Sequence, residues 1–202
     1  MKKVFLTLIL ATVFLINFSF ATDKYQIDPV HSTIGFSVKH MVISNVKGNF
    51  TDFSGVIYLD DKDIKNSRVE VTIKASSINT RNERRDAHLK SPDFFDAEKY
   101  PDITFKSKKI EKNDNGYVIV GDLTIKGVTK EVSFPFTYFG PINDPWGNQR
   151  NGVQASLTIN RQDFGVSWNN TLDNGGLVVG NEVNIEINLE VVKVKETSNK
   201  IQ

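Results

Sequence analysis

The sequence predicts an all-β protein whose strands close into a single antiparallel barrel, and three observations support this prediction. Apolar and polar residues alternate with a period of two through most of the chain, as in strands with one buried face. Short turns rich in Gly, Asn and Asp separate the alternating segments. An open sheet of eight or nine such strands would leave exposed edges, which closure removes. A two-sheet sandwich is the second-ranked architecture.

The first 21 residues are predicted to be a signal peptide. Two lysines, an apolar run over residues 4–16 and the small-x-small cleavage site Ser19-Phe20-Ala21 follow one another. The apolar run is too short for a stable transmembrane span, and no cysteine follows it that could carry a lipid. We therefore expect export to the periplasm or secretion, with an uncleaved N-terminal anchor as the alternative.

Residues 22–195 are predicted to form one domain, because no linker rich in Gly, Ser or Pro divides them. Residues 196–202 are predicted to be a disordered tail. Without Lys2 and Lys3, 23 Lys and Arg residues nearly balance 24 Asp and Glu residues, so we expect no nucleic-acid partner. The absence of cysteine from the sequence excludes disulfides, thiol nucleophiles and cysteine metal sites.

Four strands are predicted in the first half of the mature chain. They cover residues 31–40, 46–51, 53–59 and 68–74. Gly48 and Gly55 suit a bend or bulge in a strongly curved sheet. The fourth strand alternates most strictly, with Val69, Val71 and Ile73 on one face.

A short helical insertion is predicted at about residues 81–99, where the alternation stops. Thr80 and Glu83 have the spacing of a capping box, so a helix is expected to begin near Arg81. Ser91-Pro92 ends this helix and can begin a second short helical turn. The insertion is interpreted as a lid over one end of the barrel.

The second half of the chain returns to alternating strands. They are predicted at residues 103–110, 117–125, 130–139, 152–159 and 183–191. The stretch from Gly140 to Gly147, with two prolines and two glycines, cannot sustain ladder pairing and is predicted to be a loop. A second loop, rich in Gly and Asn, ends at Gly180.

Six motifs follow one another in a fixed order along the mature chain. They are His31-Ser-x-Ile-x-Phe-x-Val-Lys-His40, Gly48-x-Phe-x-x-Phe-x-Gly55, Arg85-Asp-x-His-Leu-Lys-Ser-x-Asp-Phe94, Tyr100-Pro-x-Ile-x-Phe105, Gly121-Asp-Leu-Thr-x-x-Gly-Val-Thr129 and Asp144-Pro-Trp-Gly147. Together they resemble the YceI-like family of periplasmic polyisoprenoid-binding proteins. The resemblance implies an eight-stranded, lipocalin-like barrel that holds one long isoprenoid or fatty chain. It also implies a possible homodimer and no shared catalytic chemistry.

The apolar faces of the strands and of the lid supply the candidate ligand contacts. We expect a cavity lined by Phe36, Val38, Phe50, Phe53, Val71, Phe94, Phe105, Leu123, Phe134, Phe136, Leu157, Phe164, Trp168 and Ile187. A core filled by these side chains is the alternative. If a cavity exists, a long ligand is favoured. One isoprene unit offers about 4 kcal/mol at ~0.8 kcal/mol per methylene, whereas association costs ~4–15 kcal/mol.

Charged residues of the predicted helix are candidates for binding a ligand head group. Arg85, His88 and Lys90 could donate hydrogen bonds to a phosphate or carboxylate at the barrel mouth. The alternative is that they form local pairs or are solvated. The spacing of the three histidines matches no metal-binding motif, so we expect no metal site and no cofactor.

We therefore expect an exported binding protein that sequesters or carries a polyisoprenoid, such as a polyprenyl quinone or a polyprenyl phosphate precursor. We expect no enzymatic activity, because the common nucleophile and phosphate-binding motifs are absent from the sequence. Two alternatives remain open. One is an enzyme acting on such a lipid with His88 or His40 as the base. The other is a filled barrel serving as an interaction or stress-response scaffold.

Overall fold

The computed structural model describes residues 22–114, 116–173 and 175–195. The predicted signal peptide and C-terminal tail lie outside these residues. The described strands and the α-helix, in chain order, are β1 (Asp23–Ile27), β2 (Thr33–His40), β3 (Ser44–Phe50), β4 (Phe53–Leu59), β5 (Arg68–Lys74), β6 (Ile78–Asn79), α1 (Glu83–Lys90), β7 (Asp102–Asn113), β8 (Gly116–Ile125), β9 (Val128–Asn143), β10 (Gln149–Asn160) and β11 (Val179–Lys193). Short 3₁₀ turns occur at Ile64–Asn66, Ala75–Ser77 and Arg161–Phe164.

Eight of these strands form a closed antiparallel ring. Its order is β1-β4-β5-β7-β8-β9-β10-β11, and β11 pairs with β1 to complete the circle. Tyr25 of β1 is the closing residue, because it is opposite Ile57 of β4 on one side and Lys193 of β11 on the other. The predicted eight-stranded antiparallel barrel is therefore confirmed, and the sandwich is not formed.

The remaining strands, which we call the flap, continue the barrel wall along β11 beyond the end of β1. Strand β2 pairs with the first part of β11, β3 pairs with β2, and the two-residue β6 pairs with the end of β3. Phe36 of β2 is opposite both Ile185 and Gly48. A Cβ atom at Gly48 would lie 2.5 Å from Cζ of Phe36, so glycine here makes room for an aromatic ring. The β2–β3 register is continuous at this point, so no bulge forms at Gly48.

The helix begins two residues later than predicted, and the predicted capping box is wrong. Arg81 has a φ of 59°, a left-handed conformation that cannot belong to a right-handed helix. Asn82 is the N-cap instead, and its Oδ1 accepts a hydrogen bond of 3.0 Å from the backbone N–H of Arg85. After Pro92 the chain forms hydrogen-bonded turns rather than a second helix, for example Tyr100 N to Asp96 O at 2.8 Å.

The two ends of the barrel differ. We call the end that carries α1, the Arg161–Phe164 turn and the turn between β2 and β3 the helical end. The opposite end, which we call the distal end, carries the start of β1, the end of β11 and the β9–β10 loop. None of the helices in the described part of the chain is long and apolar enough to cross a membrane.

Candidate functional site

The barrel encloses an apolar cavity of about 240 Å³. Alternation in the strands produces its wall, since every second residue of a strand points to the same face. Strand β10, for instance, contributes Val153, Ala155, Leu157 and Ile159. The side chains do not fill the barrel, which contradicts the filled-barrel alternative.

The structure places most of the predicted contact residues at this cavity. Those in its wall are Phe36, Val38, Phe50, Val71, Phe94, Phe105, Leu123, Phe134, Phe136, Leu157, Phe164 and Ile187. Phe53 and Trp168 are not in the wall. Phe53 is the first residue of β4 and is buried in the core at the corner after β3. Trp168 follows the Arg161–Phe164 turn and packs on the outer side of the lid.

The helical insertion closes the cavity at the helical end with three apolar side chains. Leu89, Phe94 and Phe95 line the cavity. Phe95 packs edge-on against Phe50, with ring centroids 6.1 Å apart. Phe94 is buried and lies 5.3 Å from the Trp168 ring. The lid is thus held by aromatic contacts.

Arg85, His88 and Lys90, the predicted head-group residues, lie off the cavity wall. Arg85 Nε donates to Oγ1 of Thr80 at 2.7 Å, and Nη2 donates to the Thr80 carbonyl at 2.9 Å. His88 is hydrogen-bonded to Asp93 at 2.9 Å. Its ring also packs at 5.0 Å from both Phe94 and Trp168. The contacts of Arg85 and His88 match the alternative of local structural pairing.

A layer of polar side chains lies at the distal end of the cavity. The hydroxyl of Tyr25 donates to Gln149 at 2.8 Å, and the hydroxyl of Tyr138 donates to Oδ1 of Asn151 at 2.7 Å. Burial raises the pKa of Tyr25, and it raises the pKa of Tyr138 to about 12. The Asn151 side chain is 2% exposed, and its Nδ2 has no hydrogen-bond partner among the described residues. Both hydroxyls are therefore neutral donors at physiological pH.

Arg161 is a buried cation in the cavity wall near the helical end. It is 5% exposed, and its guanidinium donates to four backbone carbonyls. These belong to Gly180 (2.9 Å), Val166 (2.6 Å), Trp168 (2.9 Å) and Val179 (3.2 Å). Within the described part of the chain it forms no ion pair, and burial lowers its pKa. Arg161 joins the segment after β10 to the start of β11.

Arg150, at the distal end, differs from Arg161 because its partners are carboxylates rather than backbone carbonyls. Its guanidinium contacts carboxylate oxygens of Asp28 at 2.8 Å, Asp144 at 2.7 Å and Glu190 at 2.5 Å. Hydrogen bonds from His31 and then Arg150 lower the pKa of Asp28 to about 2. Burial acts to raise the pKa of Asp144, but hydrogen bonds from Arg150 and Asn148 outweigh it, and the net shift is downward.

Asp28, His31 and Glu190 form a group whose ligand atoms lie within 4.8 Å of one another, a spacing that could hold a metal ion. The Arg150 guanidinium already contacts both carboxylates of this group, those of Asp28 and Glu190. Because the guanidinium is permanently charged, it neutralises the two carboxylates as a metal ion would. The group is better explained as an ion-pair network.

The barrel wall is incomplete between β9 and β10. Their ladder ends at Phe136 opposite Ala155, although β8 stays paired with β9 as far as Val128 and β11 with β10 as far as Asn160. A surface groove lies along this gap. Phe134 and Leu157 line both the groove and the cavity, so the two are separated only by side chains.

Three polar residues at or beside the cavity, Tyr138, Asn151 and Arg161, were not predicted from the sequence. Each of these residues continues the inward-facing series of its strand. Tyr138 lies two residues after Phe136, Asn151 lies two residues before Val153, and Arg161 lies two residues after Ile159. The period-two pattern therefore contained the signal, which a search for apolar residues alone passes over. Tyr25 was missed because β1 was not predicted, although Tyr25 and Ile27 alternate with Lys24 and Gln26.

Comparisons with known proteins agree on one family. Residues 25–191 match the model of the YceI-like domain. A UPF0312 protein of Staphylococcus aureus (strain N315) is 40% identical over 168 residues, which cover 83% of this chain and 96% of the relative.

Solved structures give the same picture. BcnA of Burkholderia cenocepacia superposes with a TM-score of 0.71 at 26% identity, over 81% of this chain and 98% of that one. A polyisoprenoid binding domain from Saccharophagus degradans shares the fold at 15% identity, with a TM-score of 0.60, over 87% of this chain and 100% of that one.

Proposed function

The chain belongs to the YceI-like family, and from this premise we propose that it binds one long-chain polyisoprenoid, or a similar amphiphile, in the barrel cavity. In this role it sequesters or carries the lipid and catalyses no reaction on it. The ligand class that fits best is a polyprenyl quinone or a polyprenyl phosphate precursor. The domain named for polyisoprenoid binding in Saccharophagus degradans shares the same fold, which supports the proposal.

The observation that carries the proposal is the character of the cavity. Apart from Arg161 near the helical end, its wall is largely apolar from the lid to the polar layer of Tyr25 and Tyr138. Burial of apolar ligand surface against such a wall is the main source of affinity for a lipid tail. The tail contacts we propose are the predicted residues that line the cavity, from Phe36 on the flap to Ile187 on β11. Each isoprene unit that enters the cavity adds about 4 kcal/mol of gross transfer energy.

The enzymatic alternative has weaker support. Neither His40 nor His88 is in the cavity wall, and a general base must come within hydrogen-bond reach of its substrate. His88 is also held by Asp93 and two aromatic rings. A buried chain of carbon atoms in this cavity would therefore meet no candidate base from the histidines.

We also propose export, on the basis of the signal-peptide pattern in residues 1–21. Mass spectrometry of protein recovered from the periplasm or medium of the expressing cells should give the mass of a chain that begins at Thr22. A full-length mass would favour the uncleaved anchor instead. The homodimer that the resemblance implies can be read from the molar mass of the same sample by light scattering.

The decisive experiment is native mass spectrometry and solvent extraction of the purified protein. The wild type should carry, or take up from a supplied polyprenol, one lipid per binding site. Ala155→Trp fills the cavity from the wall and should abolish uptake, whereas Gln154→Trp places the same ring on the outer face of β10 and should not. A wild-type protein that neither carries nor takes up any polyprenyl lipid would disprove the proposal.

A further inference from the structure

The turn between β2 and β3 exposes three consecutive apolar side chains at the helical end. Met41, Val42 and Ile43 are 40%, 59% and 85% exposed. We call these three residues the apolar tip. They follow directly on His40, which is opposite Val179 of β11, and the Met41 N–H donates to the Val178 carbonyl at 2.9 Å. The tip is therefore fixed to the barrel at its base.

The backbone of the apolar tip is strained. Met41 and Val42 have φ angles of 51° and 66°, in a left-handed region that β-branched residues rarely adopt. The same chain builds another turn with two positive φ angles, between β8 and β9, and there places Gly127 second, after Lys126. Turn geometry alone would thus favour glycine or asparagine at the tip, and the sequence has apolar side chains instead.

The charge of the surrounding flap is of one sign. From Thr33 to Phe50 the sequence contains no Asp or Glu, whereas Lys39 and Lys47 are exposed. Apolar side chains at an exposed point, flanked by lysines, match the interface of a phospholipid bilayer, where the chains enter the acyl boundary and the lysines face lipid phosphates.

The tip also lies beside the proposed binding site. Val38 and Val179, both in the cavity wall, are within three residues of the tip along the chain or across the ladder. The exposed apolar area of three side chains is roughly a few hundred Å², well below the ~800 Å² per partner that a stable protein interface buries. An area of this size suits shallow insertion into a membrane better than a second copy of the chain.

From these observations we propose that the apolar tip docks the helical end of the barrel onto a phospholipid bilayer. This inference rests on the proposed function, because docking there brings the cavity next to its lipid source. It adds a partner surface and an orientation: the flap and lid face the membrane, and the distal end faces away.

A second apolar patch tests this orientation. Val30, Phe139, Ile142 and Trp146 are exposed at the distal end. The cavity ends in its polar layer on that side, and the neighbouring Asp28, Asp144 and Glu190 are acidic. We expect this patch to stay in solution when vesicles are added, so Ile142 is the matched control for Ile43.

Because the sequence has no cysteine, single cysteines can report docking directly. Ile43→Cys and Ile142→Cys, each labelled with an environment-sensitive fluorophore, are mixed with vesicles of phosphatidylcholine and phosphatidylglycerol. The label at residue 43 should shift to the blue, and the label at 142 should not. In flotation assays Ile43→Asp should lower vesicle binding roughly tenfold, whereas Ile142→Asp should change it less than about twofold. Lys39→Glu with Lys47→Glu should weaken binding to these vesicles more than to phosphatidylcholine alone.

The outcomes separate this inference from the proposed function. Lipid uptake without a shift at residue 43 overturns docking through the tip and leaves the binding function intact. A shift at residue 43 in a protein that takes up no lipid supports docking and overturns the binding function. A shift at residue 142 alone would reverse the orientation and disprove the inference.

Discussion

Two buried or half-buried arginines, one near each end of the barrel, have opposite partners. Arg150 at the distal end contacts Asp28, Asp144 and Glu190. Arg161 near the helical end contacts four backbone carbonyls, and burial lowers its pKa. The distal end is thus held by charge pairs between side chains on separate elements, whereas the helical end is held by one cation that gathers loop backbone.

This difference separates the tasks of the two ends. Ion pairs between strands fix the end at which the polar layer closes the cavity. At the helical end the loop after β10, the lid and the flap meet around Arg161 and a set of aromatic contacts. Carbonyl partners can be exchanged for water when a loop moves, so we predict that the helical end opens more readily than the distal end. Among the substitutions considered below, removal of the Arg161 cation should change the free energy of unfolding most.

Arg161→Leu should lower the free energy of unfolding by about 3 kcal/mol, because four buried or half-buried carbonyls lose the guanidinium. Of these four, the Val179 carbonyl still accepts a hydrogen bond from Nδ2 of Asn169 at 2.7 Å. Urea unfolding with an unchanged m-value measures this loss. Arg84→Leu is the matched control, since the Arg84 side chain is exposed on α1, and it should cost less than about 0.5 kcal/mol.

Hydrogen exchange gives the location of the effect. The increase in exchange rate from wild type to Arg161→Leu should be larger for the amides of residues 175–180 than for those of β1 and β4 at the distal end. Equal stability of Arg161→Leu and wild type would show that the guanidinium does not stabilise the loop through these carbonyls. It would contradict the proposed difference between Arg161 and Arg150.

The distal network should make stability depend on pH in the acid range. The folded pKa of Asp28 is about 2, below its ordinary value, so its charged form stabilises the fold above about pH 4. This contribution is lost as the pH falls through the folded pKa near 2. The expected size is about 2 kcal/mol, from a shift of nearly two pKa units.

Asp28→Asn should therefore lose about 2 kcal/mol at neutral pH and match the wild type at about pH 1, below the folded pKa. Thermal or urea unfolding at both pH values tests the sign. Asp93→Asn is the helical-end control: Asp93 is exposed, and within the described ranges its ion-pair partner is His88, so little change is expected at neutral pH. A wild-type stability that is flat between pH 5 and pH 2 would contradict the role of the network.

Sequence alternation predicted the barrel because it is a local property of each strand. Strands such as β5 and β11 were found from period two alone, and their inward residues are in the cavity wall. The five-residue β1 was missed, since its pairing with β4 and β11 is what makes it a strand. The helix start was misplaced because the Thr80 hydroxyl bonds to the side chains of Asp86 and Arg85 rather than to a backbone N–H of the first helical turn.

Cavity-lining residues within strands could be predicted from the sequence, whereas the orientation of residues at strand corners and in loops could not. Phe134 and Leu157 follow from parity, whereas Phe53 and Trp168 are turned away by a strand corner and by the loop after Arg161. The charged residues chosen from the helix pair locally. Arg161 and Asn151 are in the same register as their apolar neighbours, and only the fold shows that both are buried.

The smallest effect concerns the apolar tip, and it has the opposite sign. Met41→Asn with Val42→Gly replaces two strained residues by the pair that positive φ angles favour. It should raise the free energy of unfolding by about 1 kcal/mol, or the melting temperature by about 2–4 °C. Lys126→Asn in the β8–β9 turn should gain less, because Gly127 already relieves that turn. If the tip is kept apolar for docking, the stabilised variant should also bind vesicles less tightly. A variant that gains stability and keeps full vesicle binding would leave the strain at the helical end without a function.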